Sequence, residues 1–291
     1  MVTDPGPDPD DVKAILVLAV LHQQGDLELV GVVCNGGGQP LARARLARCI
    51  LDAVGEADVP VGVGSEGKAY DAMPHEYAIA GYDAVDDSRL VPGHDLVMRA
   101  LRESPQGGLT IIIISSLRDF ADAIMADDAL VRDRVAFVSI MGGLQPSADA
   151  PFGYEPDTSV NNGFDMEAAA LVYNWCFASG VPMAVVSRFA VPMLPMQLAR
   201  SFAERTNDAV LRYLADAQFL GLEGLWVKLC EGKLPARCSK QWFFETFCGV
   251  DKADFEAQGH AALSATARIR DHLRGYVKPC ARLQGAVSFC S

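Results

Sequence analysis

The chain has 291 residues, of which 50% are hydrophobic and 21% charged, a composition suited to one large core. A formal net charge of -12 without any basic stripe excludes nucleic acid and anionic membrane as partners and favours a small ligand that is not strongly anionic. No basic leader with a following apolar stretch opens the sequence, and no apolar run approaches the ~20 residues of a membrane span, so a cytoplasmic setting is expected.

Only Met1, Val2 and Thr3 precede the first polar turn, so a first strand has almost no room and reads as truncated. That turn, Asp4-Pro5-Gly6-Pro7-Asp8-Pro9-Asp10-Asp11, holds four carboxylates and leads into an apolar helix over 11–23. Crowded carboxylates raise one another's pKa, and a divalent cation would relieve them. Calcium suits the turn, which offers hard oxygens and no soft donor. A plainer reading is helix capping by Asp8 or Asp10, with acids complementing the helix dipole. It leaves Asp4 unexplained.

Further along, nearly continuous β-branched runs at 29–34, 59–63, 109–114, 135–141 and 181–186 alternate with helix-length segments at 40–54, 94–103, 117–127 and 165–178. Strands buried on both faces indicate a parallel sheet, and the β-α alternation predicts a doubly wound α/β fold with helices on both faces. A single domain over 1–291 is expected. Ligands of such folds bind beyond the carboxyl ends of the strands. Those positions hold the acid turn, Asn35-Gly36-Gly37-Gly38-Gln39, Ser115-Ser116, Gly142-Gly143 and Ser187-Arg188, a polar rim on which Asn35 is a candidate ligand contact. The glycines lack both a GxGxxG register and a Lys-Ser/Thr pair, so they are read as permitting close approach of a ligand or another backbone.

Residues 64–93 and 144–164 show no clear period and read as long loops. His75 lies among tyrosines in the first and is a candidate proton donor to a leaving group. From about 192 onward the pattern is mainly helical, with segments near 193–219, 239–248 and 260–275. Eight cysteines are scattered without metal-binding spacing; Cys34, Cys49 and Cys176 fall in apolar stretches and read as buried thiols.

Asp4-Pro5-Gly6 followed by Asp10-Asp11, the segment Val138-Ser139-Ile140-Met141-Gly142-Gly143, and Asn161-Asn162-Gly163-Phe164-Asp165-Met166-Glu167-Ala168-Ala169 together resemble the inosine/uridine-preferring nucleoside hydrolase family, from the N-terminus to about residue 190. The resemblance implies calcium-dependent hydrolysis of a ribose N-glycosidic bond. It places Asp4 on calcium and as acceptor of a proton from the attacking water, Asp10 on the ribose hydroxyls and Asp11 on the metal. It also implies a calcium ligand from the Ile114 carbonyl and a ribose lining from Met141 and Asn161. Nearby carboxylates would favour an oxocarbenium-like transition state.

The chain departs from that family at three places. Pro7-Asp8-Pro9 fills a gap that is usually one residue, which makes Asp8 a rival metal ligand. Ser159 stands where a Glu is common. The late His-Asp pair has no counterpart, since Pro235-Ala236-Arg237-Cys238-Ser239-Lys240-Gln241-Trp242 contains no acid, and a lysine there would oppose a cation. Leaving-group contacts would then fall to His75, Arg237, Lys240 or Trp242. The 235–242 segment either covers the pocket mouth or starts a helix in which Trp242 and Phe243 are core. The expected partner is a neutral nucleoside or riboside, since Arg188 alone would balance a phosphate; a homo-oligomer is left open. The alternatives are a non-catalytic ligand-binding or interaction protein on the same fold, and a metal-dependent phosphohydrolase, which the lack of a basic phosphate clamp disfavours.

Overall fold

A computed structural model describes residues 1–273 apart from 74, 188, 191–195 and 206. It divides into two compact units, 1–191 and 192 onward. Arg188, Cys280 and Cys290 lie outside the described residues.

The first unit contains, in chain order, β1 (Val2–Thr3), α1 (Asp10–Gln24), β2 (Val32–Cys34), α2 (Pro40–Ala53), β3 (Val61–Val63), β4 (Leu90–Pro92), α3 (Gly93–Glu103), β5 (Leu109–Ile113), α4 (Arg118–Ala126) and α5 (Asp128–Arg134). There follow β6 (Val135–Met141), β7 (Leu144–Pro146), β8 (Tyr154–Pro156), α6 (Val160–Phe164), α7 (Met166–Ser179) and β9 (Met183–Val186). Seven strands form one parallel sheet in the order β4-β3-β2-β1-β5-β6-β9. The chain therefore leaves β1 in one direction and returns to β5 on its other side. With right-handed crossovers this reversal puts α1 and α2 on one face and α3, α4 and α7 on the other. The doubly wound α/β expectation is met, and the reversal at β1 is the switch point where such sheets bind ligands.

Burial explains the strand composition. Val33, Ile111, Ile113, Val138 and Ile140 belong to a core shared with Leu96, Leu101, Phe120, Val172 and Tyr173 of the helices. α1 ends at Gly25 and α7 at Gly180, each with positive φ and a backbone N–H returned to the last turn. The two long loops contain structure that the sequence does not announce. β4 is a three-residue edge strand within 64–93, and β7 pairs with β8 as an antiparallel hairpin within 144–164.

The second unit is helical: α8 (Met196–Ala203), α9 (Ala209–Cys230), α10 (Lys240–Phe243) running into a π-helical turn at Phe244–Cys248, α11 (Lys252–Ala257) and α12 (Ile269–His272). The segment expected near 193–219 is two helices parted before Asp208, whose side chain caps α9 by accepting from the Val210 and Leu211 N–H groups. Among the described residues of the helix expected over 260–275 there are a 3-10 turn at His260–Ala262 and the short α12. Trp226, Phe243, Phe244, Phe255 and Ile269 form this unit's own core. No helix among the described residues is long and apolar enough to cross a membrane.

Candidate active site

β1 delivers Asp4 to the carboxyl edge of the sheet at the switch point. The turn then folds back so that Asp11, in the first turn of α1, is buried behind it. The Thr3 hydroxyl donates to Asp11 Oδ1, and the Asp4 N–H donates to the same oxygen at 3.1 Å. Pro9, not an aspartate, occupies the N-cap, and no side chain caps the helix. The capping reading of Asp8 and Asp10 is thereby overturned: proline fixes the entry turn, and both carboxylates are exposed. Gly6 is required by space, because a Cβ there would stand 2.8 Å from Glu76 Oε1.

Arg43 of α2 supplies the counter-charge. Its Nη1 lies 3.1 Å from Asp4 Oδ2 and donates to the Asn35 carbonyl at 2.6 Å, while Nη2 donates to the Tyr70 hydroxyl at 2.6 Å. Tyr70 in turn donates to Glu76 Oε1 at 2.7 Å, and Tyr77 reaches the same oxygen at 3.1 Å. Glu76 is fully buried. One guanidinium does not neutralise the turn. Burial pushes the Asp4 carboxyl up to about 7, Arg43 opposes this, and Asp10 and Asp8 add to the rise. Burial, then Asp4 and Asp10, hold Asp11 well above the usual carboxylate range against the Thr3 hydrogen bond.

Beside this pair, Asn35 is fully buried after β2. Its amide donates to Asp119 Oδ2 at 2.7 Å and to the Ser116 carbonyl at 3.1 Å, and Asp119 also accepts from Ser65 N–H and hydroxyl, both at 2.9 Å. Asn35 Oδ1, Arg43 Nε and Ser115 Oγ are buried without a partner. Unmet polar atoms of this kind are costly and are a common mark of a ligand or water site. Gly36, Gly37 and Gly38 all have positive φ, and the first long loop lies against them: Gly36 N–H donates to Ser65 O and Gly38 N–H to Glu66 O, both at 2.8 Å. The close approach is therefore made by another backbone.

On the other side of β1, Asn161 links two strand ends. Its amide donates to the Ile114 carbonyl at 3.0 Å and the Met141 carbonyl at 2.9 Å. Asn162 is held by the Gly143 carbonyl at 2.8 Å and by Tyr173, whose hydroxyl donates to Asn162 Oδ1 at 3.1 Å. A Cβ on Gly142 or Gly143 would collide with Tyr173 or Asp157, so packing explains both glycines.

His75 Nε2 comes within 3.4 Å of the Pro7 carbonyl, which places this loop histidine beside the acid turn. Three other candidates belong to the second unit. Arg237 is exposed. Trp242 packs edge-on against Phe247, and its N–H is capped by the Ser239 hydroxyl at 3.1 Å, the helix-start arrangement. Lys240 Nζ donates to the Ala261 and Leu263 carbonyls at 3.0 and 2.6 Å and lies over the Trp226 ring. Its ammonium is thus committed to its own unit.

In chemical kind, the Asp4 and Asp11 carboxylates and the Ile114 carbonyl fit calcium, being hard oxygens whose charge is poorly neutralised. In number they are few. Among the described residues no group of three or more acidic, histidine or cysteine side chains is gathered to hold a metal. A calcium ion here would draw the rest of its shell from water or ligand oxygens. Sequence reasoning missed Arg43, Tyr70, Glu76, Thr3 and Asp119. Arg43 alone left a trace, sharing a helical face with the buried Ala47 and Ile50.

A doubly wound parallel sheet with an acid turn at its switch point defines a class of small-ligand α/β proteins. Residues 1–250 match the inosine-uridine preferring nucleoside hydrolase family, and the chain belongs to it. Two solved structures are 28% identical: the type III effector protein XopQ complexed with adenosine diphosphate ribose (TM-score 0.68, covering 84% of this chain and 72% of that one) and the effector protein XOO4466 (0.70, 88% and 73%). The purine-preferring ribonucleoside hydrolase from Gardnerella vaginalis shares the fold at 17% identity (0.56, 77% and 72%). No curated protein matches the chain.

Proposed function

We propose that the chain hydrolyses the N-glycosidic bond of a ribonucleoside or related neutral riboside. The observation that carries this reading is the placement of Asp4, Asp10 and Asp11 together at the switch point of the sheet. Asp4, at the end of β1, is positioned to take the proton of an attacking water. Exposed Asp10 would hold ribose hydroxyls. The unpartnered Asn35 Oδ1 would accept from a further hydroxyl, and the Asn161 amide is fixed at the strand ends on the other side of β1. Met141 lines the sugar, and His75 protonates the departing base. Calcium, held by Asp4, Asp11 and the Ile114 carbonyl with Asp8 close by, would make the water more acidic and stabilise developing negative charge. Incubation with a panel of nucleosides, followed by assay of free ribose and base, tests this reading; no release from any of them refutes it.

A second reading, binding of a riboside ligand without turnover, is favoured by one feature. The 235–242 segment offers no acid, and its Lys240 is engaged with carbonyls. The 28%-identical effector structure holding adenosine diphosphate ribose names a ligand to try first. Saturable binding of that ligand with no bond cleavage would select this reading.

A further inference from the structure

Arg43 of α2 is a cation buried next to the acid turn, only 2% exposed. Its guanidinium is seated by neutral groups. The Asn35 carbonyl and the Tyr70 hydroxyl each lie 2.6 Å from it, whereas Asp4 Oδ2 is 3.1 Å from Nη1. Tyr70 is fixed in turn by Glu76, whose Oε2 accepts from the Met73 N–H at 3.0 Å. The glycine turn makes the room: a Cβ on Gly37 would stand 2.8 Å from Nη2 and one on Gly36 3.1 Å from Nη1. Arg43 Nε is buried without a partner, so the seat costs an unmet donor. A neutral donor could serve the Asn35 carbonyl and Tyr70 without that cost. What the guanidinium adds is a fixed positive charge beside the carboxylate that ends β1.

We propose, resting on the reading that Asp4 and Asp11 hold calcium, that Arg43 is a resident counter-ion of the acid turn and competes with the divalent cation for Asp4. Arg43 stands on Oδ2, which leaves Oδ1 as the oxygen that Asp4 offers to an ion, and its charge repels a second cation drawn to the same group. The two short bonds to neutral oxygens anchor the guanidinium independently of Asp4, so it stays in place when an ion arrives. Asp11 is held differently, by the Thr3 hydroxyl and the Asp4 N–H, dipoles that carry no net charge. The turn is therefore partly neutralised before any metal binds, and calcium affinity is held below what these carboxylates would otherwise give.

The test is calorimetric titration of calcium, at pH 8 and without nucleoside, into the full chain as parent, Arg43→Gln and Arg43→Lys. Gln keeps a donor for the Asn35 carbonyl and removes the charge, whereas Lys keeps the charge. Arg43→Gln should bind calcium at least about tenfold more tightly than the parent, and Arg43→Lys should stay within about threefold of it. Calcium bound by Arg43→Gln alone gives the same answer. A smaller gain in Arg43→Gln, no calcium binding by either, or an equal gain in Arg43→Lys overturns the proposal. Should Arg43→Gln fail to fold, the parent decides: its Arg43 Nε–H resonance should shift as calcium is added, and a resonance that stays in place overturns the proposal. Nucleoside hydrolysis is a separate readout, so a parent that releases no ribose while Arg43→Gln gains calcium affinity upholds the counter-ion and refutes the hydrolase.

Discussion

Replacing Asp4 by Asn should change how the stability of the protein depends on pH. The folded chain holds the Asp4 proton up to about 7, whereas the unfolded chain releases it near the ordinary value of 3.8. Between those limits the native state binds more protons, so unfolding free energy falls as pH rises, and it is flat below and above. A rise from 3.8 to about 7 corresponds to a loss of up to about 4 kcal/mol by pH 8. Asn keeps an oxygen for Arg43 Nη1 and removes the titrating charge, and the attraction of Arg43 for the ionised carboxylate is already contained in the net rise. The variant should therefore match its parent near pH 4 and exceed it by up to about 4 kcal/mol at pH 8. Urea unfolding in chelator-containing buffer across pH 4 to 8 measures the difference. Parallel profiles, or a variant less stable than its parent at pH 8, would refute the electrostatic account of the turn.

Calcium at about one hundred times its dissociation constant should stabilise the parent by about 2.7 kcal/mol at pH 8 and Asp11→Asn far less, as read from calcium-dependent melting. Asn161→Leu strips the Ile114 and Met141 carbonyls of their side-chain donor and should cost about 1–3 kcal/mol for each carbonyl left buried, measured by urea unfolding. His75→Ala should lower turnover of an accepted nucleoside by about 10²-fold or more if His75 protonates the leaving base, with the melting temperature nearly unchanged. Arg237→Ala should leave stability within about 0.5 kcal/mol because the side chain is exposed, whereas Trp242→Ala should cost about 1–3 kcal/mol by unpacking Phe247. Unchanged kinetics in both would confine that segment to a structural role.

The parallel sheet was legible because β5 and β6 are long apolar runs with no polar alternation, the pattern of strands covered on both faces. β4 escaped notice because Leu90-Val91-Pro92 is a short, half-exposed edge strand that ends in proline, and nothing local separates it from a loop. Beyond 260 the described residues form a 3-10 turn and the short α12 in place of one long helix: Gly259, with positive φ, precedes the turn, and His260 stacks on Phe244. At the site, Asp4, Asp10 and Asp11 stood out since the fold had no use for so many acids in one turn. Arg43, Tyr70 and Glu76 did not, because their meaning arises only when the first long loop folds back over the glycines and brings Glu76 against Gly6.

The most direct measurement is release of free ribose from a panel of purine and pyrimidine nucleosides, followed for the parent chain and for Asp10→Ala in the presence of calcium. The account predicts ribose and base in equal amounts from at least one nucleoside, and a loss of about 10²-fold or more in kcat/KM in the variant, as expected when a contact to the reacting sugar is removed. Saturable riboside binding with no ribose released from any nucleoside would contradict it.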